Sequence, residues 1–200
     1  MFTSTQAHQE LRLAASLNPG PWEQHSVSVA TNARIIAWKA GLDEDKAYVY
    51  GLLHDIGRRA GVSGIRHIFD GYDYLRDLGE KEIGRICLTH SFPAKIIDIY
   101  PSHNDCSPMQ RIFLEHFLSS IEYNDYDLLI QLCDSISLPS GACIMEKRLI
   151  DVALRYGCTE LTQQKWKAFM EIKKHFDALC GCNIYTLLPN ITENSYADLI

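Results

Sequence analysis

Residues Asp43–Gly57, DEDKAYVYGLLHDIG, decide how this chain is read. Asp43, Glu44 and Asp45 open the stretch, where carboxylates offset the partial positive charge of a helix N-terminus. Ala47, Tyr48, Gly51 and Leu52 then recur at helical spacing. The run leads to His54-Asp55, and Gly57 is expected to stop it. Neighbouring residues on a regular helix point about 100° apart. His54 and Asp55 can therefore face one target only where the helix loosens at its end.

The same period extends outward in both directions. Asn18-Pro19-Gly20-Pro21 breaks the chain, and Pro21 suits the first turn of a new helix. From about Trp22 to Ala40, His25, Val29, Ala33 and Ile36 share a face, and Gly41 closes the helix. After Gly57, Arg58 to Gly64 reads as a basic, glycine-containing loop. A helix then carries His67, Gly71, Tyr74 and Leu75 on one stripe. Another, from about Glu80, aligns Ile83, Ile86, Cys87 and His90. Pro93 and the Pro101–Pro108 stretch are expected to be loop. Arg111 to Ser120 is predicted helical, with Ile112, Phe113 and Phe117 as core candidates. Leu128 to Cys133 is too apolar for a surface helix and is placed at the centre, with Asp134 at its end. Pro139-Ser140-Gly141 is a break. Helices near Glu146–Tyr156 and Gln163–Leu179 follow. The second puts Trp166, Phe169, Met170, Phe176 and Leu179 on one side, with Thr162 as its N-cap. The tail from 181 to 200 is expected to pack loosely. No stretch alternates as a strand does, so the fold class expected is all-α, a helical bundle. The 200 residues suit one domain, with a core over about 22–137 and a helical extension over about 146–180.

Composition narrows the function. With 46% hydrophobic and 22% charged residues, the chain has the make-up of a globular protein, not a disordered one. A net charge of −6 argues against a large nucleic-acid-binding surface. Met1 leads into polar sequence without a secretory leader, and no apolar run is long enough to span a bilayer. Seven cysteines occur without paired CxxC spacing, which argues against a disulfide framework or a zinc finger. A reducing, cytoplasmic setting without membrane association is expected. Asn190-Ile191-Thr192 matches a glycosylation sequon and is read as chance.

The histidines carry the chemistry. His25, His67 and His90 lie on the apolar faces of their helices, His54 ends the most apolar one, and Asp134 closes the central run. One inward histidine is ordinarily bonded to a backbone carbonyl, and one Asp at a helix end is ordinarily a cap. Several together on facing helices point to a metal, which also answers the cost of burying Asp55 and Asp134. Arg58, Arg59 and Arg66 flank this cluster, and guanidinium forks suit phosphate oxygens. The common alternative for them is a solvated basic loop. Glu23 and Gln24, beside His25, are candidates to orient a ligand or water. His8, His103, His116 and His175 are read as ordinary polar residues.

Leu53-His54-Asp55-Ile56-Gly57, preceded by His25-Ser26-Val27 and followed by His67, His90 and Asp134, resembles the HD-domain superfamily of metal-dependent phosphohydrolases over about Trp22 to Ser137. The resemblance implies an HD-type helical bundle with additional C-terminal helices. It implies His25, His54, Asp55 and Asp134 as ligands of one metal, with His67 and His90 as ligands of a second that shares Asp55. The ions implied are two divalent transition metals from among Fe, Mn, Zn, Ni and Co. His54 and Asp55 would be catalytic through a metal-activated hydroxide, and Arg58, Arg59 and Arg66 would hold substrate phosphate. The expected substrate is a phosphate ester or anhydride of a small nucleotide or related metabolite. The chain departs from the HD-GYP branch: His90 is followed by Ser91, and Gly71-Tyr72-Asp73 is out of place for that motif. Two other readings remain open. Four His and two Asp also match the ligand count of HD-fold di-iron oxygenases, and a non-catalytic signalling module is the third. The oligomeric state is open.

Overall fold

Helices form where an apolar face recurs at helical spacing, and most of them bury such a face in the core. A computed structural model describes residues 2–197. In chain order the helices are α1 (Ser4–Leu17), α2 (Trp22–Ala40), α3 (Glu44–Leu53), α4 (Arg66–Asp77), α5 (Lys81–Thr89), α6 (Pro108–Ser120), α7 (Asp125–Ser135), α8 (Met145–Tyr156), α9 (Thr162–Cys180) and α10 (Ile191–Tyr196). Short 3-10 turns cover Ile56–Ala60, Ile97–Ile99 and Ile184–Leu187. A hairpin pairs β1 (Ser137–Leu138) with β2 (Gly141–Ala142) antiparallel, Ser137 opposite Ala142.

The fold is all-α, as its sequence period requires. α7 lies at the centre and packs against α2, α3, α5, α8 and α9. Leu129, Ile130, Leu132 and Cys133 are wholly buried there, so the apolar run does sit in the middle. α2 and α3 pack closely because Gly51 lets them: a Cβ on Gly51 would lie 2.4 Å from the Cα of Ala30. One hydrophobic cluster runs from Leu11 of α1 through α2, α3 and α7 to Phe176 of α9 and Ile184. A second, smaller cluster beneath α4, α5 and α6 contains Ile68, Phe69, Phe92 and Leu118. The cysteines are free thiols, and four of the seven are buried among apolar neighbours. No helix among the described residues is long and apolar enough to cross a membrane.

Several local expectations are corrected. α1 has a capping box of Thr3 and Gln6 and packs on α2 and α3; its weaker apolar stripe was not singled out in the sequence. Gly57 does not stop a helix. α3 ends at Leu53, and Gly57 lies inside the following 3-10 turn, so Arg58–Ala60 are helical and not loop. α6 begins earlier than Arg111, at Pro108, under a capping box of Ser107 and Gln110. Its buried face is Leu114 and Leu118, while Ile112 is 59% and Phe113 41% exposed. Of the three core candidates on α6, the half-buried Phe117 does pack against the smaller cluster, whereas Ile112 and Phe113 belong to a second, outer apolar face. In α9 Ile172 and Cys180 are buried where Leu179 was expected. Thr162 is the first helical residue, and its hydroxyl accepts from the Thr159 amide instead of capping.

The tail is also not loosely packed. Ile184 is fully buried, the Tyr185 hydroxyl accepts from the Met145 amide (2.8 Å), and the Ser195 hydroxyl accepts from the Ile144 amide (2.9 Å). Positions 198–200 of that tail lie outside the described residues.

Candidate metal centre

Five elements deliver the ligand candidates. α2 contributes His25, the end of α3 contributes His54 and Asp55, α4 contributes His67, the end of α5 contributes His90, and α7 contributes Asp134. His54 still has helical dihedrals, whereas Asp55 leaves them at φ −105°, ψ 16°. That change of path brings both side chains to one side. α4 then closes over the turn at glycine: a Cβ on Gly57 would lie 1.9 Å from the His67 carbonyl oxygen. Gly57 is required by this approach, not by a turn.

All six candidates meet. Their donor atoms form three overlapping groups: His25, His54 and Asp55; His54, His90 and Asp134; and Asp55, His67 and His90. Asp55 Oδ1 lies 3.1 Å from His67 Nε2 and 3.6 Å from His90 Nε2, and Asp55 Oδ2 lies 3.9 Å from His54 Nε2. His25 Nε2 lies 2.9 Å from Asp134 Oδ1. Two ligands each 2.0–2.2 Å from a common ion are at most about 4.4 Å apart, so these separations suit shared coordination.

The histidines are oriented from behind. His54 Nδ1 donates to the Gly51 carbonyl (2.7 Å), His67 Nδ1 to the Gly64 carbonyl (2.6 Å), and His90 Nδ1 to the Cys87 carbonyl (2.9 Å). Each such bond fixes the proton on Nδ1 and leaves the Nε2 lone pair facing the cluster, as in metal-ligating histidines. His54 Nε2, His67 Nε2 and Asp55 Oδ1 are buried without a hydrogen-bond partner. Unpaired buried polar atoms cost free energy, and metal ions bound in these overlapping groups would satisfy them. The donor set therefore fits a divalent transition metal.

Electrostatics agree with this fit. Burial holds the His54 imidazole down at about 4, and burial with the nearby Arg58 guanidinium also lowers His67. Both are neutral donors at neutral pH. Burial alone would raise the carboxyls of Asp55 and Asp134. Arg58 and the imidazoles around Asp55, and His25 beside Asp134, outweigh it and keep both acids ionised.

A cavity of about 690 Å³ opens onto the cluster at His25, Asp55, His90 and Asp134, within the size range of small-molecule sites. Of the three arginines, Arg58 lines it, with Nε 2.5 Å from Asp55 Oδ2. Arg59 and Arg66 are not among its lining residues. Arg59 stacks on Tyr74 and faces Glu10 of α1, and Arg66 is exposed, near Asp70. Glu23 and Gln24 do not line it either, and Gln24 is exposed. His8 meets the Tyr48 hydroxyl, His175 meets Asp125, and His103 and His116 are exposed.

The cavity also has residues that the sequence did not single out. Tyr100, Arg148, Arg155, Lys165, Trp166 and Phe169 line it. Asp105 accepts from the amides of Gly64 (2.7 Å) and Arg66 (2.8 Å) and so fixes the entry to α4 and the place of His67. Lys165, beside Trp166 and four residues before Phe169 on an apolar face, was the one visible signal of a polar group turned inward.

The HD domain family model matches residues 22–138, more than half of the chain. No curated protein and no solved structure matches it.

Proposed function

The chain belongs to the HD domain family, and on that premise we propose that it is a metal-dependent phosphohydrolase acting on a phosphate ester or anhydride of a small nucleotide or related metabolite. One observation carries the reading. Unpartnered Nε2 atoms face Asp55, their Nδ1 atoms are tied to carbonyls, and the cluster opens on a cavity bordered by a guanidinium. His25, His54, Asp55 and Asp134 would hold one divalent ion, and His67 and His90, with Asp55, a second. A bound ion of this kind acidifies water and polarises a phosphoryl oxygen.

The protein's own groups do the rest. Asp55, ionised at neutral pH, presents one oxygen to His67 and His90 and the other to His54 and Arg58. Arg58 lines the cavity beside Asp55, where its guanidinium is placed to bind a phosphate oxygen and offset charge developing on it. Trp22 and Tyr100 also line the cavity and restrict water around the reacting group. Cys87, buried with its thiol pushed up by burial, takes no part.

The same set of four His and two Asp favours one second reading, a di-iron oxygenase. Aerobic purification separates the two: a coloured iron protein that consumes oxygen with a phosphonate or polyol replaces hydrolysis. The direct test is metal analysis joined to a panel of phosphate esters and nucleotides. Loss of bound metal and of turnover is expected in His54→Ala and in Asp55→Ala, with the helical circular dichroism retained. Full activity in either variant sinks the site. His67→Ala tests nuclearity, since two ions per chain in that variant would remove His67 from the ligands.

A further inference from the structure

The far wall of the cavity comes from a part of the chain that the family match does not reach. α8, the segment after it and α9 lie beyond residue 138 and contribute Arg148, Arg155, Tyr156, Lys165, Trp166 and Phe169 to the lining. Three of these are cations. Asp151 is the acid on this wall, and both arginines already share it: Arg148 Nη1 lies 2.8 Å and Arg155 Nη2 2.7 Å from Asp151 Oδ2. Arg148 Nε is buried and has no hydrogen-bond partner.

The Lys165 ammonium has no carboxylate within ion-pair distance among the described residues. It lies 5.8 Å from the centre of the Phe169 ring. Burial lowers it to about 8; the field of Asp134 opposes this, and that of Arg148 adds to it. It is thus a partly buried cation, still charged at neutral pH, held between a guanidinium and an acid that the metal centre would occupy. An ammonium in such a place is costly unless something anionic meets it.

We propose that Lys165 and Arg148 form an anion subsite across the cavity from the metal centre, so that the substrate carries a second anionic group, a phosphate or carboxylate, besides the phosphoryl group that reacts. The subsite rests on the hydrolase reading for the identity of the first group and defines the substrate class for it. Lys165 supplies a point charge, and Arg148 supplies its unpaired Nε–H. Arg155, exposed and shared with Asp151, adds positive potential at the rim. Trp166 and Phe169 flank the lysine with apolar surface, which weakens competition from water and strengthens the ion contact.

The test titrates the metal-loaded full chain, by calorimetry, with ethanediol, butanediol and hexanediol bisphosphates and with the matching monophosphates. Phosphobutyrate against butyl phosphate is a further pair, and turnover is followed in parallel. At least one doubly anionic probe is expected to bind about tenfold or more tightly than its singly anionic match. The pair that shows the preference identifies the second group as phosphate or carboxylate. Lys165→Met is expected to collapse the preference to about twofold, Lys165→Arg to keep most of it, and Arg148→Gln to reduce it. A preference for double anions without turnover supports the subsite and removes hydrolysis. Turnover with equal affinity across every pair removes the subsite and leaves hydrolysis standing. A preference that survives Lys165→Met intact overturns the assignment to this wall.

Discussion

At the scale of the residue, the ordinary and the functional readings of a buried histidine turn out to be compatible. His54, His67 and His90 each bond a backbone carbonyl through Nδ1, as a core histidine does, and that bond is what aims Nε2 at Asp55. Gly57 belongs to the same machinery. Gly57→Ala puts a methyl group against the His67 carbonyl and the Gly71 amide, neither of which can move without shifting α4. A loss of about 2 kcal/mol or more is expected, as for overpacked cores, together with a fall in bound metal as His67 moves off Asp55. Unchanged chemical denaturation would refute this. Lys165 gives the opposite sign. Its folded pKa of about 8 lies below the ordinary value of 10.5, so between these pH values the unfolded chain holds more protons and folded stability rises with pH. Below about pH 8 the full cost of burying the charge is present. Partial exposure of the side chain reduces that cost to roughly 1–2 kcal/mol. Lys165→Met should therefore raise the melting temperature of the metal-free protein at pH 7, with the gap to wild type closing by about pH 10.5. Equal melting temperatures at pH 7 count against a strained lysine. A residue retained at a cost to stability fits a role in binding.

At the scale of the element, α5 and α7 are clamped by one buried acid. Asp127 is fully buried, and its carboxylate accepts from Arg85 (2.5 Å), from the Thr89 hydroxyl (2.9 Å) and from the Asn124 amide (2.9 Å). Gln131, one turn on, donates to the Thr89 carbonyl (3.0 Å). These bonds fix the register between the helices that end in His90 and carry Asp134. Removing one partner of a buried pair leaves the other charge uncompensated, so Asp127→Ala should cost about 3–5 kcal/mol. Asp127→Asn, which keeps an acceptor, should cost less. Denaturant titrations that rank the two variants equally would show that the charge is not the clamp. This network was not read from the sequence, since Asp127 looks like first-turn acidic decoration on α7. α6 taught a related lesson. Met109, Ile112 and Phe113 are exposed on it while Leu114 and Leu118 are buried. Helical period establishes that a helix forms, but where two of its faces are apolar, only the neighbours decide which is covered.

At the scale of the whole molecule, the core does not end where the family match ends. Phe169, Ile172, Phe176 and Ile184 belong to the same buried cluster as Val29, Ile36 and Leu132, and α9 packs on both α2 and α7. A chain ended after residue 143 would leave that surface of α2 and α7 in water, at about 25 cal/mol per Å² of apolar area exposed. Such a truncation is expected to lose its cooperative thermal transition, whereas the full chain should unfold in one. A sharp melt with metal binding intact in the truncated chain would sink the idea that the C-terminal helices complete the core. Helices α2 to α9, the central place of α7 and the six His and Asp candidates were legible in the sequence alone, because helical period and buried polarity are local signals that survive without neighbours. Which arginine faces the cavity was not. Arg58 and Arg59 are adjacent in sequence, yet one meets Asp55 and the other stacks on Tyr74. Nor was the cationic wall of Arg148 and Lys165 legible, since it arises only when α8 and α9 fold back over a site whose candidate ligands end at Asp134. Sequence spacing determined which residues could turn inward on each helix. Long-range packing alone decided which of them share a cavity, because that depends on how distant helices close on one another.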